Sequence, residues 1–597
     1  MSTLDLAVTG NCAIASLIDR NGRHVWSCFP RLDGDPAFSA LLDGDAPEHG
    51  FMDVVLRDQV SASQSYLLNT AIVETVLTDS HGGAVRILDF APRFRMYGRN
   101  FRPRTLVRRI EPVSGRPRIA IRVRPAFGYG ARHPKPRPGS NHLRWTDDEE
   151  ALRLTTDAPI AYIAGETEFA LDRPVSLFFG TDEPLSDNPE TLSASFLDQT
   201  RSYWHDWVRS LNVPFDWQDA VIRAAITLKL CSYEDTGAIV AALTTSVPEA
   251  AGTQRNWDYR FCWLRDAFFT VNGLNRLNAT RTMEGFVRFV VDAVERDIEG
   301  PVAPLFAIAP GADLAERHAE SLAGYRGMGP VRVGNEAATQ LQNDGYGSIV
   351  MSATQLFVDR RLAPGGGEGL YDLLATVARR AERDAFTPDA GLWEYRGRAR
   401  AHTYTAGMSW AAMHRIGLVA RHLGKAAASD DWMARAEVLR REVIRRAIVP
   451  SEGWISGALD IPVADASSLV LPEIGLLPAS HEAFLKTIEV IKRRLMRNGF
   501  LLRYDEADDF GAPDNAFLLC TFWYIDALAA VGRQAEARDL FENILARRNH
   551  VGLLSEDVDP RTGELWGNFP QTYSQVGLIL CAMRLSRSWE EGLWRAS

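Results

Sequence analysis

Apolar residues recur with two different periods along the chain, and the change falls near residue 200. Before it, β-branched runs such as Ala71–Thr78 and Ala84–Phe90 flank a Gly-Gly pair, which is typical of a hairpin turn. The runs Thr105–Glu111 and Arg118–Arg124 repeat this pattern around two prolines and predict a second hairpin. Several strands at this spacing favour an antiparallel β-sandwich over residues 1–200.

From about residue 215 the apolar positions follow a helical period. Asp430–Ile448 is amphipathic, with one apolar stripe among many charged residues. Ala516–Val531 and Val576–Met583 are apolar on nearly every side, so we expect them to be buried on every side. Helices of these two kinds predict an inner ring sheathed by an outer ring, a helical barrel over 201–597 that includes a linker helix at 201–215. A helical solenoid is the alternative, but no repeat motif of fixed length is found.

Composition and charge narrow the functional classes. Hydrophobic residues make up 46% of the 597 residues, which is ordinary for a well-packed globular protein. The 66 basic against 76 acidic residues give a net charge of −10, which argues against a nucleic-acid partner. No apolar run is long enough to span a bilayer and no secretory signal is visible, so no membrane association is expected. Six scattered cysteines are typical of reduced thiols in a cytoplasmic protein.

Residues 91–140 depart from this acidic balance, with 14 basic residues and one acidic residue. The favoured interpretation is a solvated strand face that also docks an acidic neighbour, since the arginines alternate with apolar residues. A surface for an anionic ligand is the alternative. The histidines form no zinc motif, so neither a metal nor another cofactor is expected.

Five loop-like segments of the helical half are rich in Trp, Tyr, Arg and carboxylates. Aromatic faces stack on pyranose rings, and Arg and Asp hydrogen-bond vicinal hydroxyls in bidentate fashion. In a helical barrel the loops joining inner to outer helices collect at one mouth, so these segments predict a sugar pocket there. They are Asn256–Asp266, Tyr325–Tyr346, Gly391–Gly397, Leu502–Asn515 and Leu553–Gln571.

Two carboxylates in these segments have contrasting neighbours. Glu394 lies between Trp393 and Tyr395, a nonpolar setting that favours the protonated form and suits a general acid. Glu556 lies beside Ser555 and Asp557, a polar setting in which a carboxylate is expected to stay ionised and to activate water.

Each candidate also has a plain structural alternative. Both glutamates could be ordinary surface acids, and Arg265 and Asp266 could be an ion pair that caps a helix. The acidic residues Asp508, Asp509, Asp557 and Asp559 could be calcium ligands, although no EF-hand spacing surrounds them. The aromatic residues of the first segment could belong to the core; they are Trp257, Tyr259 and Trp263.

At these segments the sequence resembles glycoside hydrolase family 15, the group of inverting glucoamylases, bacterial trehalases and glucodextranases. Nearly the whole chain is covered, and the motifs follow the family's order. They include LKLCSYEDTGAIVAALTTSVPE, WDYRFCWLRDA, PVRVGNEAATQLQNDGYG, GLWEYRG, FLLCTFW and GNFPQTYSQVGLI. The resemblance implies an N-terminal antiparallel β-supersandwich followed by an (α/α)6 barrel, in agreement with the pattern of apolar positions.

The resemblance also implies a reaction and its residues. It implies an inverting, exo-acting hydrolase that releases β-glucose from a small α-glucoside such as trehalose, with Glu394 as general acid and Glu556 as general base. An inverting pair would have carboxyl groups about 6.5–9.5 Å apart, so that a water fits between base and sugar. The substrate-binding residues implied by motif are Trp257, Tyr259, Trp263, Arg265, Asp266, Gln342, Asp344, Trp393 and Arg503.

Several alternatives stay open at this stage. The substrate could be an α-1,4 or α-1,6 oligosaccharide, as for a glucoamylase. An inverting phosphorylase or a catalytically silent sugar-binding protein is a further alternative. Three stretches depart from the family pattern and are expected near the leaving-group side, where they bear on substrate choice. They are Thr405-Ala406, Ala512–Asn515 and Ser574-Gln575. The sequence makes no prediction of an oligomeric state.

Overall fold

The computed structural model describes residues 3–147, 150–296, 300–363 and 365–594. The N-terminal part consists of strands whose apolar side chains alternate between inside and outside. They are β1 Leu6–Gly10, β2 Ala15–Asp19, β3 His24–Phe29, β4 Asp35–Phe38, β5 Phe51–Leu56, β6 Gln59–Tyr66, β7 Val73–Asp79, β8 Ala84–Phe90, β9 Phe94–Met96, β10 Arg99–Phe101, β11 Thr105–Ser114, β12 Arg118–Arg124, β13 Arg137–Pro138, β14 His142–Thr146, β15 Ala151–Thr156, β16 Phe169–Ala170 and β17 Val175–Thr181.

Two antiparallel sheets form the predicted sandwich. One has the order β1-β2-β3-β5-β12-β16, with β4 beside β3, and the other has the order β13-β14-β15-β17-β11-β8-β7-β6. Ile119, Ile121 and Val123 point into the core between the sheets, as their alternation predicts. β7 and β8 form the predicted hairpin. The second predicted hairpin is wrong, because β11 and β12 belong to different sheets and the chain crosses the sandwich between them.

Many of the arginines of residues 91–140 are paired with acidic side chains, in agreement with the favoured interpretation. Arg108 is fully buried and pairs with Asp89 at 2.7 Å across neighbouring strands. Arg93 donates to Glu234 at 2.6 Å, so part of this surface docks an acidic segment of the helical half.

A long helix connects the two halves of the chain. It spans Pro189–Arg209, so it begins before the predicted 201–215 and the proposed boundary at residue 200 falls inside it. Its start is set by Asn188, whose side chain accepts from the backbone N–H of Glu190 at 2.9 Å.

The helical half alternates outer and inner elements. The helices of the described chain are α1 Ile160–Ala164, α2 Pro189–Arg209, α3 Gln218–Leu230, α4 Ala267–Arg276, α5 Thr280–Arg296, α6 Gly345–Ala353, α7 Gln355–Val358, α8 Glu368–Asp384, α9 Thr403–His422, α10 Ala426–Ala447, α11 Glu482–Leu495, α12 Leu518–Ala530, α13 Gln534–Leu545, α14 Thr572–Leu585 and α15 Trp589–Leu593. Three 3₁₀ helices span Ala40–Leu42, Glu336–Thr339 and Ala466–Val470.

Inner helices α4, α6, α9, α12 and α14 and the short 3₁₀ helix Ala466–Val470 contact one another in a closed ring. Each packs against an outer helix from α5, α8, α10, α11, α13 and α3, which completes an (α/α)6 barrel. The side chains follow the predicted patterns. In α12 nearly every residue is buried, whereas α10 buries one stripe that includes Trp432, Leu439 and Val443. The fourth inner position is the exception, because a single 3₁₀ helix occupies it.

The β-sandwich and the barrel share buried contacts. Trp26 of the sandwich donates from Nε1 to the carbonyl of Leu243 at 2.8 Å. Arg260 of the barrel donates to the Tyr129 hydroxyl and to the Gly34 carbonyl, each at 2.9 Å. Because these buried donors find acceptors across the junction, the two halves pack as one body.

Short two-residue strands lie in the loops of the barrel. They are β18 Ser232–Tyr233, β19 Ala238–Ile239, β20 Cys262–Trp263, β21 Leu305–Phe306, β22 Arg317–His318, β23 Arg332–Val333, β24 Met496–Arg497, β25 Phe500–Leu501, β26 Ala516–Phe517, β27 Asp557–Val558 and β28 Leu565–Trp566. Among the described residues, no helix combines the length and apolar character that a bilayer crossing requires.

Candidate active site

A cavity opens where outer helices lead into the inner helices that follow them. Its volume, counted together with the open solvent at its mouth, is about 890 Å³. Nine of the eleven predicted site residues line it: Trp257, Tyr259, Trp263, Arg265, Asp266, Trp393, Glu394, Arg503 and Glu556. They come from the segments 231–266, 385–402, 496–517 and 546–571, so the tertiary fold brings together four separate loops.

Glu394 reaches the cavity from the loop between α8 and α9. Its backbone is left-handed, with φ +61°, after a turn in which its N–H donates to the Gly391 carbonyl at 3.2 Å. Such a backbone conformation costs a non-glycine residue about 1–3 kcal/mol, so it persists only where contacts with the surrounding structure stabilise it. Trp263 Nε1 donates to the carboxyl at 2.6 Å and Arg265 Nη1 at 3.1 Å. The surroundings are therefore charged, whereas the adjacent sequence positions predicted a nonpolar setting.

Glu556 faces the same cavity from immediately before β27 and is almost fully buried. The Tyr259 hydroxyl donates to its Oε1 at 2.7 Å and the backbone N–H of Asn568 to its Oε2 at 3.2 Å. Burial, reinforced by the nearby Glu249 carboxylate, raises the pKa of Glu556 to about 7. The sequence predicted a polar setting that keeps the carboxylate ionised, and the structure adds burial, which acts against ionisation. Gly567 permits this burial, because a Cβ there would lie 2.6 Å from that of Glu556.

Arg265 and Asp266 stand at the start of α4, on the wall of the cavity. Arg265 Nε lies 3.4 Å from Asp266 Oδ1, and Nη1 donates to the Leu392 carbonyl as well as to Glu394. Burial raises the pKa of Asp266 to about 7. The two residues thus form an ion pair and face the cavity at the same time. The Asp266 side chain makes no cap hydrogen bond to α4.

Gln342 and Asp344 are not among the described residues that line the cavity. Gln342 Nε2 donates to Gln340 Oε1 at 3.0 Å, and Gln340 lines the cavity in its place. Asp344 is fully buried at the start of α6, where burial raises its pKa to about 6. Both residues lie behind the residues that line the cavity, because they come just before α6 and pack with it inside the ring of inner helices. A role for them in direct substrate contact stays a prediction.

Glu249 lines the cavity but was given no role from the sequence. Its Oε1 accepts from Trp257 Nε1 at 3.0 Å, and its Oε2 accepts from Arg503 Nη2. Arg503 Nη2 also lies 3.6 Å from Asp557 Oδ1. Glu249 thereby holds two predicted site residues in place. The motif LTTSVPE, which ends on Glu249, is the part of the sequence that could have pointed to this residue. It contains a single acidic residue, and nothing nearby in the sequence shows which side chains that residue contacts.

Further cavity residues were also missed by sequence reasoning. All but Arg255, Phe517 and Tyr573 lie in the five loop segments, and sequence reasoning assigned none of them to the sugar site. They are Arg255, Asn335, Gln340, Tyr395, Arg396, Tyr504, Asp508, Asp509, Phe510, Phe517, Gln571 and Tyr573.

The calcium alternative does not fit the acidic residues as the structure places them. Asp508 accepts from Arg255, and Asp559 lies 3.2 Å from Arg561 Nε, so each carboxylate already has a cationic partner. Within the described part of the chain, no group of three or more acidic, His or Cys side chains is arranged to hold a metal ion.

The three departures from the family pattern occupy different environments. Thr405 and Ser574 are buried in α9 and α14, and Thr405 contacts Asp389 at 3.4 Å. Neither residue is among the described ones that line the cavity. Asn515 closes the third stretch and donates to the Glu249 carbonyl at 2.8 Å. Asn515 is thus tied to the cavity residue Glu249, and Ser574 to the cavity residue Gln571, whose Oε1 accepts from the Ser574 hydroxyl at 2.8 Å.

Comparisons with known proteins agree with this geometry. The family described as glycosyl hydrolases family 15 matches residues 216–583, more than half of the chain. The chain belongs to this family. A trehalase of Thermoplasma volcanium is 32% identical over 97% of this chain and 93% of its own length. A trehalase of Mycolicibacterium smegmatis is 29% identical over 98% of this chain and 92% of its own length.

A solved structure shows the same fold for this family 15 chain. A bacterial glucoamylase complexed with acarbose superposes with a TM-score of 0.67 over 97% of this chain and 93% of its own, at 13% identity. The predicted β-supersandwich followed by an (α/α)6 barrel is confirmed. As a family 15 member, the protein is a glycoside hydrolase.

Proposed function

We propose that this family 15 protein is a trehalase that hydrolyses α-glucosides with inversion and releases β-glucose. One observation carries the proposal: Glu394 and Glu556, from two different loops, face a single cavity whose wall also carries the Arg265–Asp266 pair. Inverting hydrolysis needs one carboxylic acid and one carboxylate on opposite faces of the sugar.

The chemistry follows from these two groups. Glu394, in its protonated form, gives its proton to the glycosidic oxygen as the bond from that oxygen to the anomeric carbon breaks. Glu556, as carboxylate, takes a proton from the water whose oxygen forms the new bond to the anomeric carbon. The Tyr259 hydroxyl donates to Glu556 and stabilises its ionised form against the effect of burial.

The remaining cavity residues hold the terminal glucose. Arg265 and Asp266 offer a paired donor and acceptor for neighbouring hydroxyls, and Trp393 offers an aromatic face. Trp393 is itself fixed by its Nε1, which donates to Asp465 at 2.9 Å. A sugar held in this way keeps the anomeric carbon in line with the attacking water.

The choice of trehalose is supported by the relatives. Trehalases of two organisms align with nearly the whole chain, so the β-sandwich and every cavity loop lie within the matched length. We infer that the substrate is a small α-linked glucose disaccharide. We also infer a cytoplasmic location, because all six cysteines are free and buried, as expected in a reducing compartment.

The test combines a substrate panel with two variants. Trehalose, maltose, isomaltose and maltotriose are incubated with the protein, and the anomer of released glucose is followed by NMR. We expect trehalose to be hydrolysed fastest, with one β-glucose from the attacked ring and one α-glucose from the leaving ring as the initial products. Glu394→Gln and Glu556→Gln are each expected to lower kcat by at least about 100-fold without loss of fold by circular dichroism, as befits removal of a proton-transfer group.

Each contrary outcome points to a named alternative. Initial release of α-glucose alone, with no β-glucose, would contradict inversion, and preference for maltose or isomaltose would favour a glucoamylase-type specificity. Turnover only in the presence of phosphate would indicate a phosphorylase. Binding without turnover would indicate a silent sugar-binding protein.

A further inference from the structure

The cavity has a deep end and a rim, and side-chain exposure separates them. At the deep end Glu556 is 1% exposed and Asp266 is 8% exposed. Phe510 also lines the cavity, yet it is 36% exposed. A residue that faces both the cavity and solvent lies at the mouth. Phe510 therefore marks the side from which a substrate enters or a leaving group departs.

Three side chains from three different loops meet at this mouth. The Phe510 ring meets the Trp257 ring edge-on, with centroids 5.1 Å apart. The Arg396 guanidinium lies over the Trp257 ring at 4.4 Å and over the Phe510 ring at 5.7 Å. Contacts of this kind are attractive because the cation and the ring edge each face an electron-rich ring surface. We call Trp257, Arg396 and Phe510 the rim clamp.

The rim clamp is braced by ion pairs and backbone hydrogen bonds. Arg396 N–H donates to Asp509 at 2.7 Å, and its guanidinium donates to Glu316 at 2.9 Å. Asp508 accepts from Arg255 Nη1 and from the Phe510 N–H, each at 2.8 Å.

Two residues before Asp508, Glu506 accepts from Arg398 at 3.0 Å and from Arg400 at 2.7 Å. These pairs tie the loop of Phe510 to the loop of Glu394 at several points, so the mouth has a defined width.

The position of Arg396 relates the rim clamp to the reaction. It follows Glu394 by two residues, and Glu394 is the group that protonates the departing oxygen in the proposed function. The clamp thus borders the space beyond the acid, where the leaving group must lie. We propose that the rim clamp admits one sugar ring on the leaving side and excludes a second. The proposal rests on the proposed function and specifies its substrate class, an α-glucoside whose leaving group is a single ring.

The rim clamp predicts how the rate depends on the number of sugar rings in the leaving group. A leaving group of two rings would have to displace the Phe510 ring or the Arg396 guanidinium, and so break the contacts with Trp257. Truncation of Phe510 to alanine removes the ring without touching the ion pairs that brace the loop. Phe510→Leu is the matched control, because it keeps an apolar side chain of substantial size at the rim.

The experiment compares leaving groups of one and two rings on the same linkage. The first pair is trehalose and a trehalose that carries one added 1,4-linked glucose, whose cleavage at the 1,1 bond is scored by release of maltose. The second pair is maltose and maltotriose. The pair scored is the one whose shorter member the unaltered protein hydrolyses. The measured quantity is kcat/KM for the longer substrate divided by that for the shorter one. Circular dichroism and thermal unfolding check that each variant is folded.

In the unaltered protein we expect the longer substrate to react at least tenfold more slowly than the shorter one. Phe510→Ala is expected to raise the ratio at least tenfold, and Phe510→Leu less than threefold. Equal rates on both substrates in the unaltered protein, or an unchanged ratio in Phe510→Ala, would overturn the clamp while leaving hydrolysis intact. Absence of hydrolysis of every α-glucoside would instead overturn the proposed function, and the clamp with it.

Discussion

The hydrogen bond from Tyr259 to Glu556 gives a direct test of the assigned base. Its length of 2.7 Å and its ionisable acceptor place it among the strong hydrogen bonds. A hydrogen bond to a charged group is worth about 1.5–3 kcal/mol, and one pKa unit corresponds to about 1.36 kcal/mol. Tyr259→Phe removes the donor and little else. The pKa of Glu556, already raised to about 7 by burial, should rise by a further one to two units or so.

The sign of the effect on activity follows from the role of the base. Glu556 must be ionised to take a proton from water, so kcat/KM rises with pH as Glu556 loses its proton. This rising part of the pH profile is its acid limb, and a higher pKa of Glu556 moves the acid limb to higher pH. Below the limb, at the same pH, Tyr259→Phe should therefore be about 10- to 100-fold slower than the unaltered protein, and the gap should close at high pH.

The assay is the rate of glucose release at low substrate concentration across the pH range in which the protein stays folded. Tyr573→Phe is the control, because Tyr573 lines the same cavity and its hydroxyl contacts the Arg265 carbonyl at 3.4 Å. Its acid limb should stay in place. An acid limb in Tyr259→Phe that coincides with that of the unaltered protein would refute the assignment of Glu556 as the titrating base.

Three further outcomes are expected. Glu249→Gln removes a carboxylate that raises the pKa of Glu556, so the acid limb should move to lower pH, opposite to Tyr259→Phe; a shift to higher pH would contradict the placement. Arg260→Ala leaves Asp258 buried without its partner at 2.7 Å. The free energy of unfolding, measured by urea titration, should fall by about 3–5 kcal/mol. A loss below about 1 kcal/mol would contradict a stabilising role of Arg260 at the junction. The six buried cysteines should react with a bulky thiol reagent only after denaturation, so rapid labelling of the native protein would contradict their burial.

Much of the architecture could be read from local pattern. The stripe of α10 and the all-round apolar character of α12 are properties of single helices, and periodicity reports which faces a helix must bury. The order of motifs around Glu394 and Glu556 likewise lies in the chain itself. The hairpin predicted for β11 and β12 failed because a turn signal shows where the chain reverses but not which sheet each strand joins.

The chemistry of the site depended on partners that are distant in the chain. Tyr259 lies 297 positions from Glu556, and Arg503 lies 254 positions from Glu249, yet Tyr259, Glu249 and Arg503 all act on the pKa of Glu556. Sequence neighbours predicted an acid in a nonpolar setting and a base in a polar one, and the folded protein places a charged group beside the first and buries the second. Burial and long-range electrostatics arise only when the loops of the barrel converge, because desolvation is a property of the assembled cavity. Residue identities along the chain therefore indicated the candidate reacting groups, and the convergence of the loops decided how Glu556 ionises and which side chains form the mouth.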